Sequence, residues 1–337
     1  MAVQVADNDA PAFVRRFVNL ADARLGAVAL AASDDFFAAK ERMLNPEPAQ
    51  FVPGKYDDNG KWMDGWETRR RRTPGFDWCV LRLGLAGIIK AVDVNTTFFR
   101  GNAPEKITLE VCHSKTDPGE NAEWEILLDQ VSVQPHSHNY FEIADLRPWS
   151  HLRLKIYPDG GVARLRIYGE PQVDWSGLLP GEMVDLAAST NGGRALACSD
   201  MFFSPMNNLI APGRGVNMGD GWETKRRRGP GHDWLIVKLA SAGQIQRVLI
   251  DTCHFKGNFP ESFTLEVVNT SREDLTSSDI PWQLLIPRTP LLAHTEHVFQ
   301  SEIADTQSRF THVRLNIFPD GGVSRMRVWG YPELSGK

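Results

Sequence analysis

The residues of this 337-residue chain best suited to chemistry lie in two nearly identical blocks, DGWETRRRRTPGFDW at 64–78 and DGWETKRRRGPGHDW at 220–234, with 12 of 15 positions the same. Each block holds one glutamate (Glu67 or Glu223), four consecutive basic residues and a closing Asp-Trp. In an extended segment alternate side chains face opposite ways, so Glu67, Arg69 and Arg71 would share one side and Trp66, Thr68, Arg70 and Arg72 the other. At least one pair of arginines then points inward or into a cleft. Arginine's planar fork grips a carboxylate through two hydrogen bonds and stays charged. The block therefore predicts a shaped anion site, against the plainer reading of a solvated basic strand. Arg226 and Arg227 in the second block, with Arg70 and Arg71 in the first, are the candidate anion-binding residues, Arg227 foremost.

Histidine is the side chain best able to move protons near neutral pH. His138 aligns with His297 and His151 with His312, as core or strand-edge residues would. His232 and His254 do not repeat, because the first copy has Phe76 and Phe98 there. With Glu223 and Asp233 they form a candidate acid–base set in the second copy, although drift at two surface positions would leave the same trace. A metal held by His232, Asp233 and His254 ranks lower, because no HxH, HExxH or CxxC spacing supports it, and no cofactor is expected. Two further repeated features are turns: Gly-Asn-x-Pro at 101–104 and 257–260, and Pro-Asp-Gly-Gly at 158–161 and 319–322. Loops at one end of a sandwich commonly form its site. That makes Lys256, Asn258, Asp320 and Arg325 candidate substrate contacts, with Asn102, Asp159 and Arg164 as their equivalents in a supporting or second site around Glu67.

The elements that must carry these residues also occur twice. HLRLKIYPDGGVARLRIYG (151–169) returns as HVRLNIFPDGGVSRMRVWG (312–330), and SDDFF at 33–37 returns as SDMFF at 199–203. The offset is 166 at SDDFF, 156 at the DGWET and Gly-Asn-x-Pro blocks, and 161 at the last block, so loops absorb the length differences. A period near 160 is too long for a solenoid and predicts a duplicated domain. Residues 1–17 then form an N-terminal extension, 18–169 the first repeat, 170–182 a linker and 183–331 the second repeat. Within each copy hydrophobicity alternates with period two, as at Leu152, Leu154 and Ile156. Trp78–Leu83, Ile88–Val94, Ile107–Val111 and Trp124–Leu128 are strand candidates, and the strands flanking Pro-Asp-Gly-Gly predict a β-hairpin. The fold class is all-β, two tandem jelly-roll sandwiches. The best helix candidate is Ser33–Leu44, with Ser33 as N-cap and Asn45-Pro46 as stop; Pro205 cuts it short in the second copy.

Composition narrows the field. Lys plus Arg is 37 and Asp plus Glu 42, a net charge of −5 that argues against a nucleic-acid or anionic-membrane partner. The longest nearly continuous apolar stretch, Leu25 to Ala32, has eight residues, far short of the roughly 20 needed to span a bilayer. The N-terminus lacks a secretory layout, so a cytoplasmic address is expected. None of the four cysteines aligns with a cysteine of the other copy, which favours free thiols. Kinase, nicotinamide-dehydrogenase and α/β-hydrolase signatures are missing.

The duplicated DGWET block, the segment from Asp251 to Pro260 and the twin PDGG-V-x-R-x-R motifs resemble the allantoicase (allantoate amidinohydrolase) family across residues 18–331. The resemblance implies two jelly-roll domains of the galactose-binding-like type and a cytoplasmic enzyme of purine (ureide) catabolism. It also implies a homo-oligomer, with a hexamer as the candidate state. The implied reaction takes allantoate and water to (S)-ureidoglycolate and urea. The bond broken joins Cα to a ureido nitrogen, so a protonated His232 or His254 would donate to the departing urea and Glu223 or the histidine left neutral would activate water, while Arg227 holds the substrate carboxylate. The alternative is a non-catalytic tandem small-molecule or carbohydrate-binding module, since such sandwiches bind ligands without chemistry.

Overall fold

In each repeat one strand of 19 residues organises the sandwich: Asp77–Asn95 in the first and Asp233–Asp251 in the second. The computed structural model describes residues 10–119, 121–179 and 181–333. Two compact units divide between Val173 and Asp174. The sequence suggests two strands in place of the long one, with a break at Gly84–Gly87. The chain instead runs through, and those glycines let other backbone come close: a Cβ on Gly87 would lie 2.5 Å from the Glu170 carbonyl oxygen. The first half of the strand pairs with Pro148–Tyr157 and Val28–Ala32, the second half with Arg164–Pro171 and Tyr140–Glu142. One strand therefore serves both layers. Lys106–Cys112 extends the first layer beyond Pro148–Tyr157, and Glu125–Ser132 pairs with it in turn. The second repeat copies this arrangement with Phe310–Phe318, Arg325–Pro332, Ser262–Val268 and Gln283–Pro290. The result is two tandem jelly-roll β-sandwiches.

The period-two pattern closes each core: Leu152, Leu154 and Ile156 face inward with Leu81, Val94 and Leu109, all buried. Two local expectations differ. Pro148–Tyr157 and Arg164–Pro171 do not form a hairpin, since each pairs with the long strand in a different layer. Pro-Asp-Gly-Gly crosses between layers, and Gly161–Val162 pairs instead with Trp66–Glu67. The helix expected over Ser33–Leu44 is only a 3₁₀ turn at Lys40–Leu44, and the second copy keeps the equivalent turn, Met206–Ile210, directly after Pro205. Ser33 does not cap it, because its hydroxyl donates to Asp77 (2.9 Å) and accepts the Trp78 N–H (2.9 Å). No disulfide joins the four cysteines, and burial pushes the Cys79 thiol well above its ordinary range. Among the described residues no helix is long and apolar enough to cross a membrane.

His151 and His312 are both buried. Burial, then the charges of Lys238 and Arg194, lower the His312 imidazole from its ordinary 6.5 to about 4. Between those values the unfolded chain binds a proton that the folded one refuses. Stability present above pH 6.5 is therefore lost as pH falls toward about 4. Thermal melts should show this decline, and His312→Gln should flatten it; an equally steep decline in the variant would place the acid sensitivity elsewhere.

Candidate active site

The three repeated motifs meet at one end of each sandwich. Trp66 and Trp222 are fully buried, and each indole N–H donates to a backbone carbonyl, of Asp34 or Asp200, at 2.8 Å. That anchor fixes the next residue, Glu67 or Glu223. Glu67 Oε1 accepts from the Asn102 amide at 2.6 Å, and Glu223 Oε1 from Asn258 at 2.5 Å. The asparagine turn is held in its turn by the crossing segment, whose Gly161 and Gly322 N–H groups donate to the Asn102 and Asn258 carbonyls at 2.7 and 2.8 Å. Gly160 and Gly321 have φ of 135° and 133°, and a Cβ there would lie 2.7 or 2.6 Å from the same asparagine carbonyls. Only glycine fits both demands.

Most of the basic block is engaged in holding its own path. The chain leaves the strand after Glu67, so no inward pair of arginines forms; only Arg71 and its equivalent Arg227 turn in. Arg71 donates to Asp77 (2.9 Å) and the Phe76 carbonyl (3.1 Å), Arg227 to Asp233 (2.5 Å) and the His232 carbonyl (3.1 Å). Their backbone N–H groups donate to Asp159 and Asp320 at 2.7 and 2.8 Å. Arg164 and Arg325 are buried against Asp64 (2.6 Å) and Asp220 (2.7 Å). Arg70, Arg226 and Lys256 are exposed.

The histidines sit differently from one another. His232 packs its ring 4.8 Å from that of Phe318. His254 is held in the left-handed region at φ 72° by its N–H, which donates to His294 Nδ1 at 2.8 Å, while its Nε2 lies 2.9 Å from the Gly215 carbonyl. Phe98 copies this device, with φ 72° and an N–H donated to His136 Nδ1 at 2.8 Å. His136 and His294 are thus the repeated pair. Strand register, Asp93 opposite Tyr140 and Leu249 opposite Val298, puts Glu296 and not His297 in the place of His138. Cys253, His254 and His294 bring one ligand atom each within 4.8 Å of one another. The His294 Nδ1 lone pair is already used by the His254 N–H, which leaves the proton of the neutral ring on Nε2.

An open cavity of about 290 Å³ lies beside Glu67, lined also by Lys61, Met63, Phe98, Arg100 and Asn102. Burial raises the Glu67 carboxyl above its ordinary range; the Asn102 hydrogen bond and the Lys61 charge oppose this, and the Asp57 charge adds to it. Lys61 escapes a search for shared motifs, whereas Arg100 is the equivalent of Lys256, directly before the Gly-Asn-x-Pro turn. Lys61 lies in the stretch between Gln50 and Asp64, where the first copy is ten residues longer. The Gln50 N–H donates to Asp64 (2.9 Å) as the Val216 N–H does to Asp220 (3.1 Å). The offset is still 166 at Gln50 and has become 156 at Asp64, so the addition falls between them. It folds as the small hairpin of Tyr56–Asp57 and Gly60–Lys61. The change of offset is the signal that could have found it.

A family model described as Allantoicase repeat matches this chain twice, over residues 18–172 and 184–333. Probable allantoicase 1 of Burkholderia mallei (strain ATCC 23344) is 52% identical over 334 residues, covering 98% of this chain and 99% of that protein. A probable allantoicase of Pseudomonas aeruginosa (strain UCBPP-PA14) is 51% identical over 324 residues, 95% of this chain and 97% of its own. Among solved structures, allantoicase from Saccharomyces cerevisiae aligns with a TM-score of 0.78 at 32% identity, covering 98% of this chain and all of that one.

Proposed function

The chain belongs to the allantoicase family of hydrolases, and from that premise we propose that it converts allantoate and water to (S)-ureidoglycolate and urea at the glutamate–asparagine end of its first sandwich. The observation that carries the reading is Glu67: a partly buried carboxyl with a raised pKa, oriented by Asn102, in a cavity with two cationic neighbours. A carboxyl that holds its proton longer than usual is suited to general acid work.

Allantoate carries a carboxylate, a hydrogen and two ureido groups on one carbon. Protonated Glu67 donates to one ureido group as its bond to carbon breaks, and the lone pair of the other ureido nitrogen forms a C=N bond in its place. Urea leaves. The Glu67 carboxylate then takes a proton from water as the water oxygen adds to the same carbon, giving ureidoglycolate and restoring the acid. Asn102 keeps the carboxyl aimed at both steps. In the second repeat Glu223 and Asn258 keep the same contact, with His254 and His232 nearby in sequence as the alternative proton carriers. The route uses no cofactor, and a homo-oligomeric assembly and a cytoplasmic address belong to the same proposal. Urea release from allantoate by the purified protein tests it; a protein that binds allantoate or a sugar without releasing urea would instead be a binding module.

A further inference from the structure

The cavity beside Glu67 holds more positive charge than its own carboxylates neutralise. Arg69, Arg71 and Arg164 already grip Asp34, Asp77 and Asp64. Lys61 and Arg100 are exposed and have no ion pair among the described residues: the Lys61 ammonium lies 4.6 Å over the Phe51 ring, and an Arg100 guanidinium nitrogen approaches only His136, at 3.4 Å. A substrate carboxylate one bond from the reacting carbon must be held close to the acid, and these two cations share its cavity. At about 290 Å³ the cavity is at the small end of ligand pockets, suited to a compact metabolite.

The second repeat departs at this place. Its loop is ten residues shorter, and counting back from the shared DGWET block puts the uncharged Asn217 opposite Lys61. Met218 stands by Asn258 instead, with Sδ 3.8 Å from the amide nitrogen. We propose that Lys61, assisted by Arg100, anchors the substrate carboxylate, and that the longer loop carrying Lys61 makes the first repeat the copy that turns substrate over. This rests on the allantoate reading above and names the residue that sets its specificity for an anion. A lysine suits the task, because its three rotatable donors can follow the carboxylate as the reacting carbon changes geometry.

Steady-state kinetics on Lys61→Met tests the assignment. Methionine puts an uncharged side chain of similar length beside the Phe51 ring in place of the ammonium, and the position is exposed on a small hairpin, so folding should be unaffected. KM for allantoate should rise by about tenfold or more with kcat within about threefold, the signature of lost ground-state binding. Lys61→Arg should recover most of the loss, and the salt dependence of KM should weaken in Lys61→Met. The descending limb of kcat/KM with pH should also move upward, because the Lys61 charge lowers the Glu67 pKa. Unchanged KM and salt dependence in Lys61→Met, alongside an inactive Glu67→Gln, would overturn this assignment and leave the proposed reaction standing. A fully active Glu67→Gln would overturn the reading on which it rests.

Discussion

Glu67→Gln should lower kcat for urea release by about 10²- to 10⁴-fold while KM changes by no more than a few fold. Glutamine keeps the shape of the side chain and an oxygen to accept from Asn102, whose amide now stands 2.6 Å from the carboxylate. What it removes is the transferable proton. The loss therefore falls on the transition state and not on ground-state binding, in contrast to the KM effect expected at Lys61. Glu223→Gln is the informative comparison, because its asparagine contact is nearly the same length, 2.5 Å. The second copy lacks the Lys61 hairpin, so its loss should be the smaller of the two. The reverse ranking would move turnover to the second repeat and bring His254, held at φ 72° beside His294, into the reaction. Parallel kcat measurements on the two variants, with thermal midpoints to establish folding, decide between these outcomes.

Repetition makes much of the structure legible in the sequence. A motif written twice marks what both copies need, and the Trp-Glu strand, the Gly-Asn-x-Pro turn and the crossing glycines do converge. Repetition is poor at separating architecture from chemistry. Arg71 and Arg227 looked like ligand-binding forks because a fork prefers a carboxylate, but the carboxylates they hold are Asp77 and Asp233, six residues further along each block. The aspartate of the closing Asp-Trp was there to be read, yet only the turn between them brings it back to the arginine. The Ser33 hydroxyl misled in a similar way: a helix cap and a strand-edge bond use the same group, and Asp77, 44 residues away, took it. Lys61 was invisible for the opposite reason. It lies at the edge of the ten-residue length difference, where the residue opposite is the uncharged Asn217, and its position beside Glu67 depends on how a small hairpin folds back.

The largest loss of stability should follow from Arg164→Met. The Arg164 guanidinium is almost wholly buried; it pairs with Asp64 at 2.6 Å and donates to the carbonyls of Glu47 (2.8 Å), Asp64 (3.0 Å) and Ala163 (2.7 Å). Removing it leaves a largely buried carboxylate without its partner and several carbonyls without donors, which costs about 3–5 kcal/mol where a buried pair is broken from one side. Denaturant unfolding should register that loss, and Arg325→Met should match it, because Arg325 holds Asp220 (2.7 Å) and the Gly213 carbonyl (3.2 Å) in the same way. The two variants should part in kinetics. The Arg164 clamp ties down the chain on both sides of the hairpin that bears Lys61, and Asp64 is three residues before Glu67. Arg164→Met should therefore raise KM and lower kcat together, whereas Arg325→Met, assayed where it is still folded, should change them far less. Adding Asp64→Leu to Arg164→Met removes the stranded charge and should return part of the stability, since an apolar pair can replace a buried ionic one. It cannot return the bonds to the loop carbonyls, so activity should stay low. A double variant that regained stability and turnover together would show that the clamp supports the fold but does not position the hairpin.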